Sequence, residues 1–276
     1  MKDALRAIAT GVGTRGESTN SQGVPWRDLG NGWTRMVSNT GSTRGRLRAR
    51  PAAELLGKAQ PSGLRPLGLG TPARGDHLLY APADYEAGRG APLAVLLHGA
   101  GGDARATLDL LRGLADATGI ILLAPTSRQY TWDVIIGEYG PDVEAIDRAL
   151  EETFSRYAVD TARLAVGGFS DGASYALSLG INNGDLFTDV LAFSPGFMAP
   201  LASVGIPRFF VSHGRRDSML PIERCSRRIV PQLERAGYEV TYREFDGGHT
   251  VPPEIVLEAA GRFALNEGRG EGQSSP

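Results

Sequence analysis

The sequence predicts an α/β fold with a mostly parallel central sheet covered by helices on both faces. Strand-like segments recur at about 93–97, 119–124, 163–167, 189–194, 207–212 and 238–245. Helical patterns separate most of them, at about 104–118, 141–157, 171–182, 222–236 and 253–265. A run such as Leu93-Ala94-Val95-Leu96-Leu97 is continuously apolar, as in a strand buried on both faces. Strands alternating with helices build parallel pairs through crossovers.

The elements follow in chain order. Residues 1 to 70 are rich in Gly, Ser, Thr, Asn and Arg with little apolar periodicity, and are expected to be an irregular or disordered basic extension. Trp26 and Trp33 argue against complete disorder. His77-Leu78-Leu79-Tyr80-Ala81-Pro82 is an early strand, expected to be antiparallel at the sheet edge. The catalytic-size domain is expected over 71–267, with a disordered tail at 268–276. Pro141 followed by Asp142 suits a helix start, where proline costs no hydrogen bond and acid favours the dipole. No insertion between the late strands is long enough for a large cap.

Composition sets limits. In 276 residues, 41% are hydrophobic and 22% charged, ordinary for a globular chain. No run approaches the roughly 20 apolar residues of a membrane span. One cysteine excludes an internal disulfide, and four histidines with that cysteine show no metal-ligand spacing. No metal and no cofactor is expected, and no dinucleotide fingerprint is present. Residues 1–50 hold 9 basic and 3 acidic residues against 20 and 28 in the remainder. The basic charges are scattered without a recognisable module, which argues against nucleic acid as a partner. Met1 to Ala9 has no apolar core of a secretory signal. A cytoplasmic location is expected, with secretion left open, as is a monomer or small homo-oligomer.

Chemistry enters at Gly168-Phe169-Ser170-Asp171-Gly172. This G-x-S-x-G follows the apolar run Leu164-Ala165-Val166 and precedes a helical pattern, so Ser170 falls on a sharp strand-to-helix turn with its hydroxyl exposed. A serine hydroxyl needs a base, and the base an orienting acid. Of the two later histidines, His249 lies in Asp246-Gly247-Gly248-His249, just past a late strand. Its two glycines are expected to let the loop aim the imidazole at Ser170. Asp217, after Pro207-Arg208-Phe209-Phe210-Val211, is the candidate acid. Asp246 competes but sits only three residues from His249, and Asp189 begins a strand. His213 and His98 are expected to organise their loops. His98-Gly99-Ala100-Gly101-Gly102 ends a central strand and suits an oxyanion loop, with Ala100 as donor, Gly99 and Gly101 as neighbouring alternatives, and the Asp171 amide as the second donor. Tyr130, Trp132, Phe197 and Leu220 are expected to bind substrate from loops at the carboxyl ends of strands, where such sheets carry their sites. The alternative for Trp132 is packing beneath its loop.

In order, Leu-Leu-His-Gly-Ala-Gly-Gly-Asp, Gly-Gly-Phe-Ser-Asp-Gly-Ala, His-Gly-Arg-Arg-Asp-Ser-Met-Leu-Pro and Gly-Gly-His-Thr-Val-Pro-Pro resemble the α/β-hydrolase superfamily, over roughly residues 76 to 266. Within it they resemble the bacterial phospholipase/carboxylesterase branch, which includes acyl-protein thioesterase-like enzymes. The resemblance implies a serine carboxylic-ester hydrolase acting on short-to-medium acyl esters, a small molecule or polymer, through an acyl-enzyme. Where that branch commonly has Gln after the nucleophile, this chain has Asp171. The same machinery would serve a thioesterase, a feruloyl-type esterase, a polyester depolymerase or a peptidase. A rival of another class is a catalytically inactive hydrolase-fold binding protein, whose mark would be a lost triad member.

Overall fold

The computed structural model describes residues 44–51, 61–71, 73–86 and 88–265. The expected extension up to residue 43, with Trp26 and Trp33, and the tail at 268–276 lie outside the described residues. Among the described residues, eight strands form one sheet: β1 (Gly63–Pro66), β2 (Leu78–Ala81), β3 (Ala91–Leu97), β4 (Ile121–Ala124), β5 (Val159–Phe169), β6 (Asp189–Phe193), β7 (Arg208–Gly214) and β8 (Val240–Phe245), in the order β1-β2-β4-β3-β5-β6-β7-β8. β1 and β2 pair antiparallel, as do β2 and β4, and every later pairing is parallel. The helices are α1 (Ala104–Thr118), α2 (Asp133–Ile136), α3 (Pro141–Arg156), α4 (Asp171–Asn182), α5 (Ser226–Arg235) and α6 (Pro253–Leu265).

The two faces follow from the period-two alternation of strand side chains. Leu93, Val95 and Leu97 of β3 join the core under α3, α4 and α5, with Ile146, Leu150, Leu177 and Leu233. Ala94 and Leu96 turn the other way and pack with Leu108 of α1 and Ala259 and Phe263 of α6. Every residue of β4 and β6 is buried, which explains the apolar runs Ile121–Ala124 and Val190–Phe193. Asp103 caps α1, accepting from the Ala106 amide at 2.8 Å, and Gly119 closes that helix in the left-handed region at φ 73°.

Two expectations about the amino-terminal side need correction. The segment before residue 71 is not wholly irregular, because Gly63–Pro66 pairs with β2 as the true sheet edge and moves the early strand one place inward. Residues 44–51 form no helix or strand, yet they dock on the domain. Leu47 and Ala49 are buried in the core, and the Leu47 amide donates to Asn183 Oδ1 at 2.8 Å. The Arg48 and Ala49 amides both donate to Asp147 Oδ1, at 2.7 and 2.9 Å. Arg46 and Arg50 both pair with Asp185. These contacts span about 100 residues or more of sequence, so no local periodicity announces them. Among the described residues no helix is long and apolar enough to cross a membrane.

Candidate active site

Ser170 stands between β5 and α4 with φ 58° and ψ −120°, a positive-φ conformation rare for a residue with a side chain. Its amide is held by the Phe193 carbonyl at 2.9 Å and its carbonyl by the Ser174 amide at 3.0 Å, so both strand and helix fix the turn. The flanking glycines are required by contact. A Cβ on Gly168 would lie 2.6 Å from backbone atoms of Gly172 and from the Leu97 carbonyl oxygen.

His249 follows β8, and its Nε2 lies 2.9 Å from Ser170 Oγ. On its other side Nδ1 lies 2.6 Å from Asp217 Oδ2. A carboxylate only accepts, so Nδ1 carries the proton and Nε2 is free to accept from the serine hydroxyl. The Phe169 ring packs on the imidazole, with centroids 4.7 Å apart. Neither Gly247 nor Gly248 adopts a left-handed φ. The loop reaches its place through Gly214 instead, whose Cβ would stand 2.3 Å from the Gly248 carbonyl oxygen.

Asp217 is buried after β7. Its Oδ1 accepts from the Met219 and Leu220 amides, both at 2.9 Å. Burial alone would raise its pKa, but hydrogen bonds from His213, His249 and the Leu220 amide overcome that and hold the carboxyl well below its ordinary value. The rival acids lie elsewhere. Asp189 sits at the amino end of β6 and pairs with Arg208, while Asp246 is exposed beside Arg216.

The His98–Gly102 loop runs past Ser170, and a Cβ on Gly99 would be 3.5 Å from Ser170 Cβ. The Gly101 amide already donates to the Tyr130 carbonyl at 2.7 Å, and the Gly102 amide to the Gly99 carbonyl at 3.0 Å. Gly101 therefore drops out as a donor, leaving Ala100 and Gly99 beside Asp171. His98 is buried within the loop. Its Nε2 accepts from the Ser127 amide at 3.0 Å, so Nδ1 donates to the Gly99 carbonyl at 2.7 Å. Burial holds its pKa below the ordinary imidazole value.

The expected substrate residues divide. Tyr130 is exposed, with its ring across the face of Gly101. Leu220 packs against Gly196 beside Phe197, and both side chains are half-buried. Trp132 is corrected: it is fully buried and lines no open surface. Its Nε1 donates to the His98 carbonyl at 2.8 Å, and its ring lies between His98 and Tyr175 at 4.7 and 5.3 Å. Two of the aromatic ring's roles, area and a single donor, are thus spent supporting the loop.

The motifs left several contributors unread. Ser174, Ser178 and Asn182 follow Ser170 at four-residue intervals on one face of α4. They hold the 196–202 segment by accepting from the amides of Gly196, Ala199, Leu201 and Ala202 at 2.8 to 3.0 Å. The repeated polar residue in an otherwise apolar helix was a signal in plain view. Thr131 donating to Asp171 Oδ2 at 2.6 Å had none. Among the described residues no group of three or more His, Cys, Asp or Glu side chains is placed to hold a metal ion. A cavity of about 410 Å³ beside the start of α1, lined by Arg74, Asp76, Leu78 and Asp103, includes none of the three residues Ser170, Asp217 and His249.

Solved structures share this architecture. Esterase PE8 superposes with a TM-score of 0.57 at 22% identity, covering 68% of this chain and 96% of that one. A thermophilic esterase from the planctomycete Thermogutta terrifontis, in butyrate-bound form, superposes with a TM-score of 0.58 at 17% identity, covering 75% and 95%. The same esterase phosphorylated by paraoxon superposes with a TM-score of 0.58 at 16% identity, covering 75% and 95%. The fold is the α/β-hydrolase fold. No family model matches the chain, and no curated protein matches it in sequence.

Proposed function

We propose that this protein is a serine carboxylic-ester hydrolase. The observation that carries the reading is the line Ser170 Oγ, His249, Asp217, joined at 2.9 and 2.6 Å on loops at the carboxyl ends of the strands. Ser170 attacks the ester carbonyl while His249 Nε2 takes its proton, and Asp217 keeps the imidazole in the accepting tautomer and stabilises the imidazolium. The amides of Ala100 and Asp171 receive the oxyanion. His249 then protonates the leaving alcohol, and water repeats the sequence to release the acid. Proton and charge balance without any cofactor.

The four motifs favour the phospholipase/carboxylesterase branch, and the substrate class proposed is short-to-medium acyl esters. The described segments between strands include no cap, which supports an open site bounded by Tyr130 on one side and Phe197 with Leu220 on the other. The butyrate in the Thermogutta enzyme and its phosphorylation by paraoxon make short acyl esters and organophosphorus reagents the natural probes here.

The test is hydrolysis of p-nitrophenyl acetate, butyrate and octanoate by wild type and Ser170→Ala, with intact mass after a fluorophosphonate. Loss of at least about a thousandfold in the variant, with a single adduct on Ser170, is expected. Full activity in Ser170→Ala would end this reading. Absence of both turnover and adduct in wild type would favour the inactive binding protein.

A further inference from the structure

We infer that the Asp171 carboxylate, tied to Thr131, is a positioning group that holds the two oxyanion donors at their working separation. The inference rests on Ser170 being the nucleophile. The two amides come from different elements, Ala100 from the loop after β3 and Asp171 from the first turn of α4. Stabilising an oxyanion requires both to point at one atom, and a misplacement of about 1 Å costs on the order of a hundredfold in rate.

The Ala100 loop is gripped by the segment 127–132. The Ser127 amide holds His98 Nε2, the Trp132 indole holds the His98 carbonyl, and the Tyr130 carbonyl holds the Gly101 amide. A Cβ on Gly101, at φ 70°, would be 2.7 Å from the Tyr130 ring, so loop and ring are in direct contact. Three hydrogen bonds therefore tie the Ala100 loop to 127–132. That segment is joined to the nucleophile turn through the Thr131 hydroxyl, which donates to Asp171 Oδ2 at 2.6 Å. Thr131 is buried at 7% exposure and Asp171 is half-buried, so the charge-assisted bond is partly screened from water. The chain of contacts therefore runs Asp171 carboxylate, Thr131, Tyr130 carbonyl, Gly101 amide, and ends one residue from Ala100. The bond serves a second purpose. A carboxylate beside a developing oxyanion opposes it, and the hydroxyl dipole directed at Oδ2 screens part of that charge.

The experiment measures kcat and KM on p-nitrophenyl butyrate, and the rate of fluorophosphonate labelling, for Asp171→Ala, Thr131→Val, the double variant, Asp171→Asn and Thr131→Ser. The two truncations are expected to lower kcat and labelling by about tenfold to a hundredfold with KM within about threefold. The double variant should be no slower than the slower single, because the pair acts as one unit. Thr131→Ser keeps the donor and should stay within about threefold of wild type, while Asp171→Asn, which keeps an acceptor, should lose less rate than Asp171→Ala. Both stand in for any truncation that fails to fold, since a loss in Thr131→Ser as large as that expected of Thr131→Val, despite native melting, would overturn the inference. Wild-type kcat in the truncations, or losses that multiply, would overturn it too while leaving the esterase reading intact. A wild type that neither turns over nor labels would sink both.

Discussion

A Cβ on Gly172 would stand 2.1 Å from the carbonyl oxygen of Leu97. Helix α4 can approach the end of β3 only because that atom is missing, and the approach brings Ser170 beside the His98–Gly102 loop. Alanine has the higher helix propensity by about 1 kcal/mol, yet Gly172→Ala is expected to destabilise the fold by about 2 kcal/mol or more through overpacking. Ester turnover should fall with it. Urea denaturation and kcat/KM check both, and a variant at least as stable as wild type would show that the helix shifts freely.

Asp217→Asn should lower kcat by about 10³ to 10⁴, because an amide can present an N–H to His249 Nδ1 and reverse the tautomer. Single-turnover acylation with p-nitrophenyl butyrate measures it. The native carboxyl is held below its unfolded value, so its contribution to stability is present above about pH 4 and lost as pH falls further.

Asp142 titrates the other way. Burial pushes its carboxyl up to about 6, and the nearby Asp133 adds to the rise, against the opposing hydrogen bond from the Arg128 amide. A raised carboxyl favours the folded state fully below its unfolded value near pH 4, and that advantage is lost as pH rises through about 6. Wild type should therefore gain stability relative to Asp142→Asn on going from pH 8 to pH 4, by at most about 3 kcal/mol. Thermal melts of the pair across that range decide it, and a flat difference would contradict the raised carboxyl.

Leu47 is 2% exposed, far from any periodic segment of the sequence. Leu47→Ala should cost about 2–4 kcal/mol, as for other buried leucines that leave a cavity. Guanidinium denaturation reads this directly. A loss near zero would mean that residues 44–51 rest on the domain without stabilising it.

The fold was legible because its signals are local. Apolar runs such as Leu93–Leu97 and Val190–Phe193 are bounded by turns, and the helices between them repeat every three to four residues. β1 escaped because Gly63-Leu64-Arg65-Pro66 carries one strongly apolar side chain, and its place is secured by pairing with β2 rather than by its own pattern. Residues 44–51 escaped for a related reason, since their amides are satisfied by the side chains of Asp147 on α3 and Asn183 just past α4, far off in sequence. In the site, Ser170, Asp217 and His249 could be named because each sits in a short motif after a strand. Trp132 could not be assigned, because a rim aromatic and a supporting aromatic look alike until burial is known.

Residue type, spacing and the alternation of strands with helices were enough to place the Ser170 turn and the loops of Asp217, His249 and His98–Gly102 after strands of one sheet, because each is encoded within a few residues of a strand terminus. Distances between loops are encoded nowhere locally. That His249 reaches Ser170 through the bare face of Gly214, that Trp132 lies beneath the site, and that Thr131 closes on Asp171 were decided only when packing brought together residues 34 to 79 positions apart. Close packing allows one arrangement of those side chains, and a hydrogen bond forms only where that arrangement sets donor and acceptor face to face.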